Sequence, residues 1–161
     1  MDSISFIKAP IITELAGFRQ LFDSSLSSSN TLLDSVVSHI RQRQGKMMRP
    51  MLVMLVARLY GEVRPATLHA AASLELLHTA SLVHDDVVDE SCERRGQLSA
   101  NAAFNNKVAV LAGDYQTGAC TAHRKSSHHS SGIPVGTRFG RRRVASALQR
   151  QQPAFLRAGL F

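Results

Sequence analysis

Apolar residues recur every three or four positions along most of the first 115 residues, the pattern of helices that bury one face. In residues 31–44 the apolar positions on one side are Leu32, Leu33, Val36, Val37 and Ile40. Helices are predicted over residues 11–21, 31–44, 50–60, 66–89 and 100–115. No segment alternates apolar and polar residues as a half-buried strand does, so the predicted fold class is all-α.

Residues with strong local preferences mark the ends of these helices. Asn30 or Thr31 can cap the helix predicted from residue 31. Pro50 and Pro65 suit the first turns of the two helices that follow. The helix over 50–60 is apolar nearly all round, which predicts that it is buried.

The sequence changes character abruptly after Tyr115. Residues 116–161 are rich in Gly, Ser, His and Arg without lasting periodicity, which predicts a disordered basic tail of low complexity. Residues 1–115 contain 11 Lys/Arg and 12 Asp/Glu, whereas residues 116–161 contain 8 Lys/Arg and no acidic residue. The net charge of +7 therefore belongs to the tail. We predict a helical domain over 1–115 and a separate tail over 116–161.

Cysteine content and hydropathy suggest a cellular compartment. Cys92 and Cys120 are too few for a disulfide framework and are expected to be reduced thiols. Residues 1–5 carry no apolar core of a signal peptide, and the longest apolar run, residues 51–57, is too short to span a bilayer. We expect a cytoplasmic protein.

Three aspartates stand at the end of the helix predicted over 66–89. Asp85 and Asp89 are four residues apart and share one helix face, and Asp86 is offset by one position. Clustered carboxylates repel one another, so a cation is a natural reason to assemble them. Mg²⁺ takes one or two carboxylates together with water and substrate phosphates. A solvated acidic helix end is the alternative, and it is the commoner meaning of such a triplet taken alone.

Basic residues occur on both sides of this acidic segment. Arg94 and Arg95 follow in a predicted loop over 94–99, and arginine is the usual residue for bidentate phosphate contacts. Lys46 and Arg49 stand at a helix start, where backbone N–H groups also favour anions. His78 precedes the first aspartate by seven residues and projects from the same face. Ordinary helix-end solvation would account for Lys46 and Arg49 taken alone, and core packing for a lone histidine.

Four motifs follow one another along the chain: Gly45-Lys46 with Arg49-Pro50; Glu75-Leu76-Leu77-His78; Asp85-Asp86-Val87-Val88-Asp89 with Arg94-Arg95-Gly96; and the run over 105–115. In order and spacing they resemble the trans-isoprenyl diphosphate (polyprenyl) synthases, over residues 10–115. The resemblance implies the N-terminal half of an isoprenoid-synthase helical bundle. It also implies a prenyltransferase that condenses isopentenyl diphosphate with an allylic diphosphate to make a long-chain trans-polyprenyl diphosphate.

The resemblance also implies roles for individual residues. The three aspartates would be catalytic, with Mg²⁺ at Asp85 and Asp89 and with Asp86 assisting. The residues that would bind isopentenyl diphosphate are Lys46, Arg49, His78 and Arg95. Arg94 would contact the allylic diphosphate. The small Ala80, five residues before the first aspartate, would leave room for a long product, although helix packing explains a small residue equally well.

The family resemblance extends to partners. Members of the family are usually dimers, so the resemblance implies a homodimer or heterodimer; loss of the dimer through an incomplete interface is the alternative. No specific nucleic acid partner is expected.

The sequence departs from the family after Tyr115. The family has a second aspartate-rich motif downstream, but no aspartate follows Asp114 in this chain. We therefore expect this chain alone to be inactive or impaired. One reading of permitted codons for residues 123–161, shifted by one nucleotide, gives an amphipathic, acid-containing sequence similar to the family, so we hypothesise that the tail is out of frame. The alternative is a non-catalytic diphosphate-binding remnant or subunit whose basic tail contacts nucleic acid or anionic lipid.

Overall fold

The computed structural model describes residues 3–42, 45–127 and 146–147. The helices within these ranges are α1 Ser3–Lys8, α2 Ile12–Leu26, α3 Thr31–Gln42, α4 Met48–Leu59, α5 Pro65–Val88, α6 Ala100–Phe104 and α7 Asn106–Ser127, with a 3₁₀ turn at Ala9–Ile11. Two short strands, β1 Glu93–Arg94 and β2 Gln97–Leu98, form an antiparallel hairpin. The predicted all-α class is confirmed, and the hairpin replaces the loop predicted over 94–99. Across the described part of the chain, no helix is both long and apolar enough to cross a membrane.

Helix α5 is the centre of the molecule. It packs most extensively against α7, and α4 and α2 cover other sides of it. Five of the helices contribute fully buried side chains to the core, among them Phe18, Phe22, Leu33, Val36, Met54, Leu76 and Val108. Burial of side chains of this size stabilises a fold by about 1.5–3 kcal/mol each. This packing fixes the face of α5 that carries the predicted site.

Helix α3 begins where the sequence predicts. The side chain of Asn30 accepts a hydrogen bond from the backbone N–H of Leu33 at 2.9 Å, which confirms Asn30 as the cap. Helix α2 is longer than predicted and ends at Leu26, because its apolar face continues through the buried Phe22 and Leu26.

Helix α4 is buried on one side only, so the prediction of a helix buried all round is wrong. Met51 and Met54 are almost fully buried, whereas Leu52 and Leu59 are 63% and 83% exposed. Although the sequence of α4 is apolar nearly all round, the described structure packs neighbours against only one side of this helix.

Asn105 divides the helix predicted over 100–115 into α6 and α7. Its φ of 86° is incompatible with a continuous helix. Its side chain accepts a hydrogen bond from the N–H of Val108 at 3.0 Å, so Asn105 caps the new helix.

Helix α7 does not end at Tyr115 but continues to Ser127, so the predicted disorder of residues 116–127 is wrong. The continuation packs against the bundle, since Gln116, Ala119 and His123 are buried. His123 hydrogen-bonds through Nε2 to the Ser25 hydroxyl, and its Nδ1 lies 2.8 Å from Nδ1 of His69. The proposed boundary at Tyr115 therefore falls inside a packed helix. Residues 128–145 and 148–161 of the predicted tail lie outside the described residues.

Candidate functional site

A pocket of about 130 Å³ lies where α5 meets the start of α4 and the hairpin. Six of the eight predicted site residues line it: Lys46, Arg49, His78, Asp86, Arg94 and Arg95. Asp85 and Asp89 are not among its lining residues, and both are exposed at the adjoining end of α5. Residues from three separate segments thus converge on one small, strongly basic volume.

Asp86, which is buried, forms an ion pair with the partly exposed Arg94 in the pocket wall. Asp86 is 2% exposed, and its Oδ1 accepts a hydrogen bond from Nε of Arg94 at 2.7 Å. A charge-assisted bond at this distance fixes the guanidinium plane. Asp86 therefore orients Arg94. The family resemblance had implied a different role for Asp86, which was to assist in binding the metal.

The turn of the hairpin places Arg95. Arg95 and Gly96 have φ angles of 56° and 77°, and they occupy the two central positions between paired residues Arg94 and Gln97. Positive φ at both positions is characteristic of a type I′ turn, in which glycine is favoured and arginine is strained. Outside the turn, the hairpin is held to α3 by a hydrogen bond between His39 Nε2 and the Leu98 carbonyl at 3.0 Å.

Gly45 allows Arg95 to reach the segment that carries Lys46. A Cβ atom built on Gly45 would lie 2.5 Å from Nη1 of Arg95, closer than real side chains approach. Any larger residue at this position must therefore displace the guanidinium. In the sequence, the place of Gly45 beside Lys46 in the first motif was the available signal for this close approach.

Asp85 and Asp89 present their carboxylates on one exposed face. The N–H of Asp89 donates to the carbonyl of Asp85 at 2.8 Å, so helical spacing persists one residue past α5. Within residues 3–42, 45–127 and 146–147, no group of three His, Cys, Asp or Glu side chains is arranged to hold a metal. Two exposed carboxylates nevertheless fit Mg²⁺, which accepts water and substrate phosphates as its remaining ligands.

His78 faces the cationic side of the pocket. Burial lowers the pKa of its imidazole below the ordinary 6.5, and the charges of Arg49, Arg95 and Arg94 lower it further, against a smaller opposing effect of Asp85. The imidazole is therefore neutral at neutral pH, and it can donate one N–H to an anion without adding charge.

Glu75 lines the pocket, although the sequence motifs assigned no role to it. It lies one turn before His78 and is 6% exposed, and no described residue hydrogen-bonds to its Oε2. Burial raises the pKa of its carboxyl above 4.5, while Arg49 and Arg95 pull the pKa in the other direction. The sequence signal that could have identified Glu75 as a site residue was its acidic side chain within an otherwise apolar stretch of α5.

Ala80 does not line the pocket. It is 1% exposed on α5, among packed side chains. This position favours the helix-packing explanation of its small size over an open product tunnel within the described structure.

A family model described as polyprenyl synthetase matches residues 30–137. The match extends past Tyr115, so similarity to the family does not end where the sequence changes character. Among curated relatives, the chain is 46% identical over 112 residues to the all-trans-nonaprenyl-diphosphate synthase (geranyl-diphosphate specific) of Rhodobacter capsulatus, covering 68% of this chain and 34% of the relative.

Two solved structures are also similar. A polyprenyl synthase from Caulobacter crescentus, complexed with calcium and isoprenyl diphosphate, aligns with a TM-score of 0.72 and 29% identity over 77% of this chain and 38% of that one. A geranylgeranyl pyrophosphate synthase from Bacteroides thetaiotaomicron aligns with a TM-score of 0.61 and 62% identity over 78% and 36%. The chain spans about a third of the length of the curated relatives that it matches.

Proposed function

Because this chain belongs to the polyprenyl synthetase family, we propose that it carries the diphosphate-binding part of a prenyltransferase centre. The reaction is the condensation of isopentenyl diphosphate with an allylic diphosphate, which extends a trans-polyprenyl diphosphate by five carbons. The observation that carries the proposal is the convergence of Lys46, Arg49, His78, Arg94 and Arg95 on one pocket.

The residues divide into two groups by position. Lys46, Arg49, His78 and Arg95 surround the pocket and are assigned to isopentenyl diphosphate. Arg94, fixed by Asp86, is assigned to the allylic diphosphate. Arginine and lysine hold phosphate oxygens through charge-assisted hydrogen bonds, and the neutral His78 adds a donor.

Asp85 and Asp89 are assigned as the residues that hold Mg²⁺, and Asp86 as the residue that orients Arg94. When bound, Mg²⁺ supplies charge neutralisation to a departing diphosphate. The calcium and isoprenyl diphosphate in the Caulobacter crescentus structure support a divalent cation at a centre of this family.

The side chains of this pocket favour departure of the allylic diphosphate. As its C–O bond breaks, negative charge grows on the phosphate oxygens, and the fixed guanidinium of Arg94 stabilises that charge. The allylic cation is then attacked by the double bond of isopentenyl diphosphate. Loss of a proton from the adduct gives the longer product.

A long product is part of the proposal. The nonaprenyl synthase of Rhodobacter capsulatus supports it by its name. The geranylgeranyl synthase from Bacteroides thetaiotaomicron is named for a shorter product, so product analysis is needed to decide. A dimer of family members and a cytoplasmic location are proposed as well, the latter because Cys92 and Cys120 are both thiols.

Binding of inorganic pyrophosphate tests the proposal directly. In isothermal titration calorimetry without divalent cations, Arg49→Ala should weaken binding about tenfold to a hundredfold, since a hydrogen bond to a charged group contributes about 1.5–3 kcal/mol. Arg64→Ala, which removes an exposed cation at the residue that precedes α5, is the matched control and should bind like the wild type. When Mg²⁺ is added, the wild type should bind pyrophosphate more tightly. The double variant Asp85→Asn with Asp89→Asn should lose this increase but keep the affinity measured without Mg²⁺.

A condensation assay separates binding from turnover. With labelled isopentenyl diphosphate, farnesyl diphosphate and Mg²⁺, we expect this chain alone to give little or no elongation. Robust elongation would contradict that expectation and establish the enzyme activity, whereas binding without elongation would favour the diphosphate-binding subunit. If the wild type fails to bind pyrophosphate, or if Arg49→Ala and Arg64→Ala behave alike, the proposed site is wrong.

A further inference from the structure

Glu75 is one of two acidic residues in a pocket wall whose other charged residues are cations. Its side chain is 6% exposed on α5, and its Oε2 accepts no hydrogen bond from the described residues. A buried carboxylate oxygen without a hydrogen-bond partner is costly, because it loses its hydration without replacement. Packing does not account for such a group, since an apolar residue of similar size would stabilise α5 more.

The charges around Glu75 come from three segments. The cations that line the pocket are Lys46 and Arg49 near the start of α4, and Arg94 and Arg95 in the hairpin; the other lining groups that titrate are His78 and Asp86 of α5. Asp86 is bound to Arg94. Glu75 is therefore the acidic group whose field acts on Arg49 and Arg95, and both guanidiniums act on it in return.

Arg49 and Arg95 repel each other because they approach the same pocket from different elements. Arg95 is further constrained by its position against Gly45 and by a left-handed backbone. A fixed negative charge in the wall behind such a pair offsets the repulsion, and it favours guanidinium orientations that stay in the pocket over those that extend into water.

We propose that Glu75 is a positioning residue, whose buried carboxylate holds the guanidiniums of Arg49 and Arg95 in the arrangement that receives a diphosphate. The proposal rests on the proposed function, since it takes the pocket to be a diphosphate site. Glu75 touches no reacting atom in this role; it acts through the two arginines.

Positioning and simple electrostatics predict opposite results when the charge is removed. A carboxylate repels an incoming anion, so its loss alone would tighten diphosphate binding. If Glu75 preorganises the arginines, its loss weakens binding, because the ligand must then order them itself. The sign of the change therefore distinguishes the two.

The experiment titrates inorganic pyrophosphate, without divalent cations, into the full chain and its variants by isothermal titration calorimetry. Glu75→Gln keeps the size of the side chain and removes the charge, and we expect the Kd to rise about tenfold. Glu62→Gln removes the same charge from an exposed residue between α4 and α5, and should leave the Kd unchanged. Glu75→Asp keeps the charge, and its Kd should stay within about threefold of the wild type.

Stability measurements complete the test. Urea unfolding should show Glu75→Gln to be at least as stable as the wild type, because a buried charge has been removed, so weaker binding cannot reflect partial unfolding. Tighter or unchanged binding by Glu75→Gln overturns the proposal. If Glu75→Gln does not fold, the Glu75→Asp result decides, and a loss greater than threefold by that folded variant overturns it. Failure of the wild type to bind pyrophosphate would instead count against the proposed function itself.

Discussion

At the scale of single residues, the pocket contains two buried acids with opposite surroundings. Asp86 shares a hydrogen bond of 2.7 Å with Arg94, whereas Oε2 of Glu75 accepts none from the described residues. Asp86 thus has a cationic partner, whereas burial disfavours the ionised form of Glu75 and raises its pKa. The difference makes Glu75 a measurable source of pH dependence.

The stability of the chain should depend on pH through Glu75. Because the folded state raises its pKa above 4.5, the folded chain binds this proton more tightly than the unfolded chain does. The protonated Glu75 carboxyl contributes its full stabilisation below pH 4.5, and this stabilisation is lost as the pH rises through the raised pKa. Glu75→Gln has no such proton, so its unfolding free energy minus that of the wild type should increase as the pH rises above 4.5 and through the raised pKa of Glu75.

Urea unfolding followed by circular dichroism at several pH values gives this difference. His78, whose lowered pKa costs stability as the pH falls below 6.5, is present in both proteins and cancels. A difference that does not vary with pH would show that the Glu75 carboxyl titrates alike in the folded and unfolded states.

The sequence grouped six residues of the pocket, but it gave neither a role for Glu75 nor the pairing of Asp86 with Arg94. Helical spacing correctly grouped Asp85 with Asp89, and the motifs correctly placed Lys46 and Arg49 near the arginines of the hairpin. The Asp86–Arg94 bond and the contact of Arg95 with Gly45 depend on how the hairpin folds onto α5 and α4. Contacts between segments that are distant in sequence produce no periodic pattern, so they could not be predicted from residue spacing.

At the scale of elements, α7 shows where composition misleads. Its Gly, Ser and His content after Tyr115 predicted disorder, yet the segment is helical because α2 and α5 offer it a surface and polar partners. The break at Asn105 before α7 was missed for a related reason: the residue type does not show that the backbone of Asn105 adopts the positive φ that ends α6. Both outcomes depend on contacts distant in sequence.

Gln116 is a local misfit within α7, and replacing it should stabilise the chain. Its side chain is fully buried, and neither its Nε2 nor its Oε1 has a hydrogen-bond partner among the described residues. Gln116→Leu removes two unsatisfied polar atoms at similar volume, which should raise the unfolding free energy by about 1–3 kcal/mol. Gln20→Leu, at an exposed position of α2, is the control and should change it by less than about 0.5 kcal/mol.

This misfit occurs at the first residue of the segment hypothesised to be out of frame. An apolar residue at 116 would agree with that hypothesis, which stays a prediction that resequencing of the locus tests. A Gln116→Leu variant no more stable than the wild type would mean that the buried amide is satisfied in solution.

At the scale of the whole molecule, the outer face of α4 is an apolar surface that the described structure leaves uncovered. Leu52, Val56 and Leu59 recur at four and three residues along that face and are 63%, 44% and 83% exposed, and Tyr60 follows at 90%. Contiguous exposed apolar surface of this kind is unusual on a soluble monomer and favours association.

The chain should therefore self-associate through α4. Sedimentation velocity at increasing concentration should show species larger than the monomer, and Leu52→Glu with Leu59→Glu should raise the apparent dissociation constant at least about tenfold, since charges must then be desolvated at the contact. Ser29→Glu adds a charge at an exposed position of the α2–α3 connection and should leave association unchanged. Both leucines are solvent-exposed, so the double variant should keep its helix content, which circular dichroism checks. Association that survives the double variant would place the contact elsewhere. The exposed face of α4 would then remain in contact with water, at a cost of about 25 cal/mol for each Å² of apolar area.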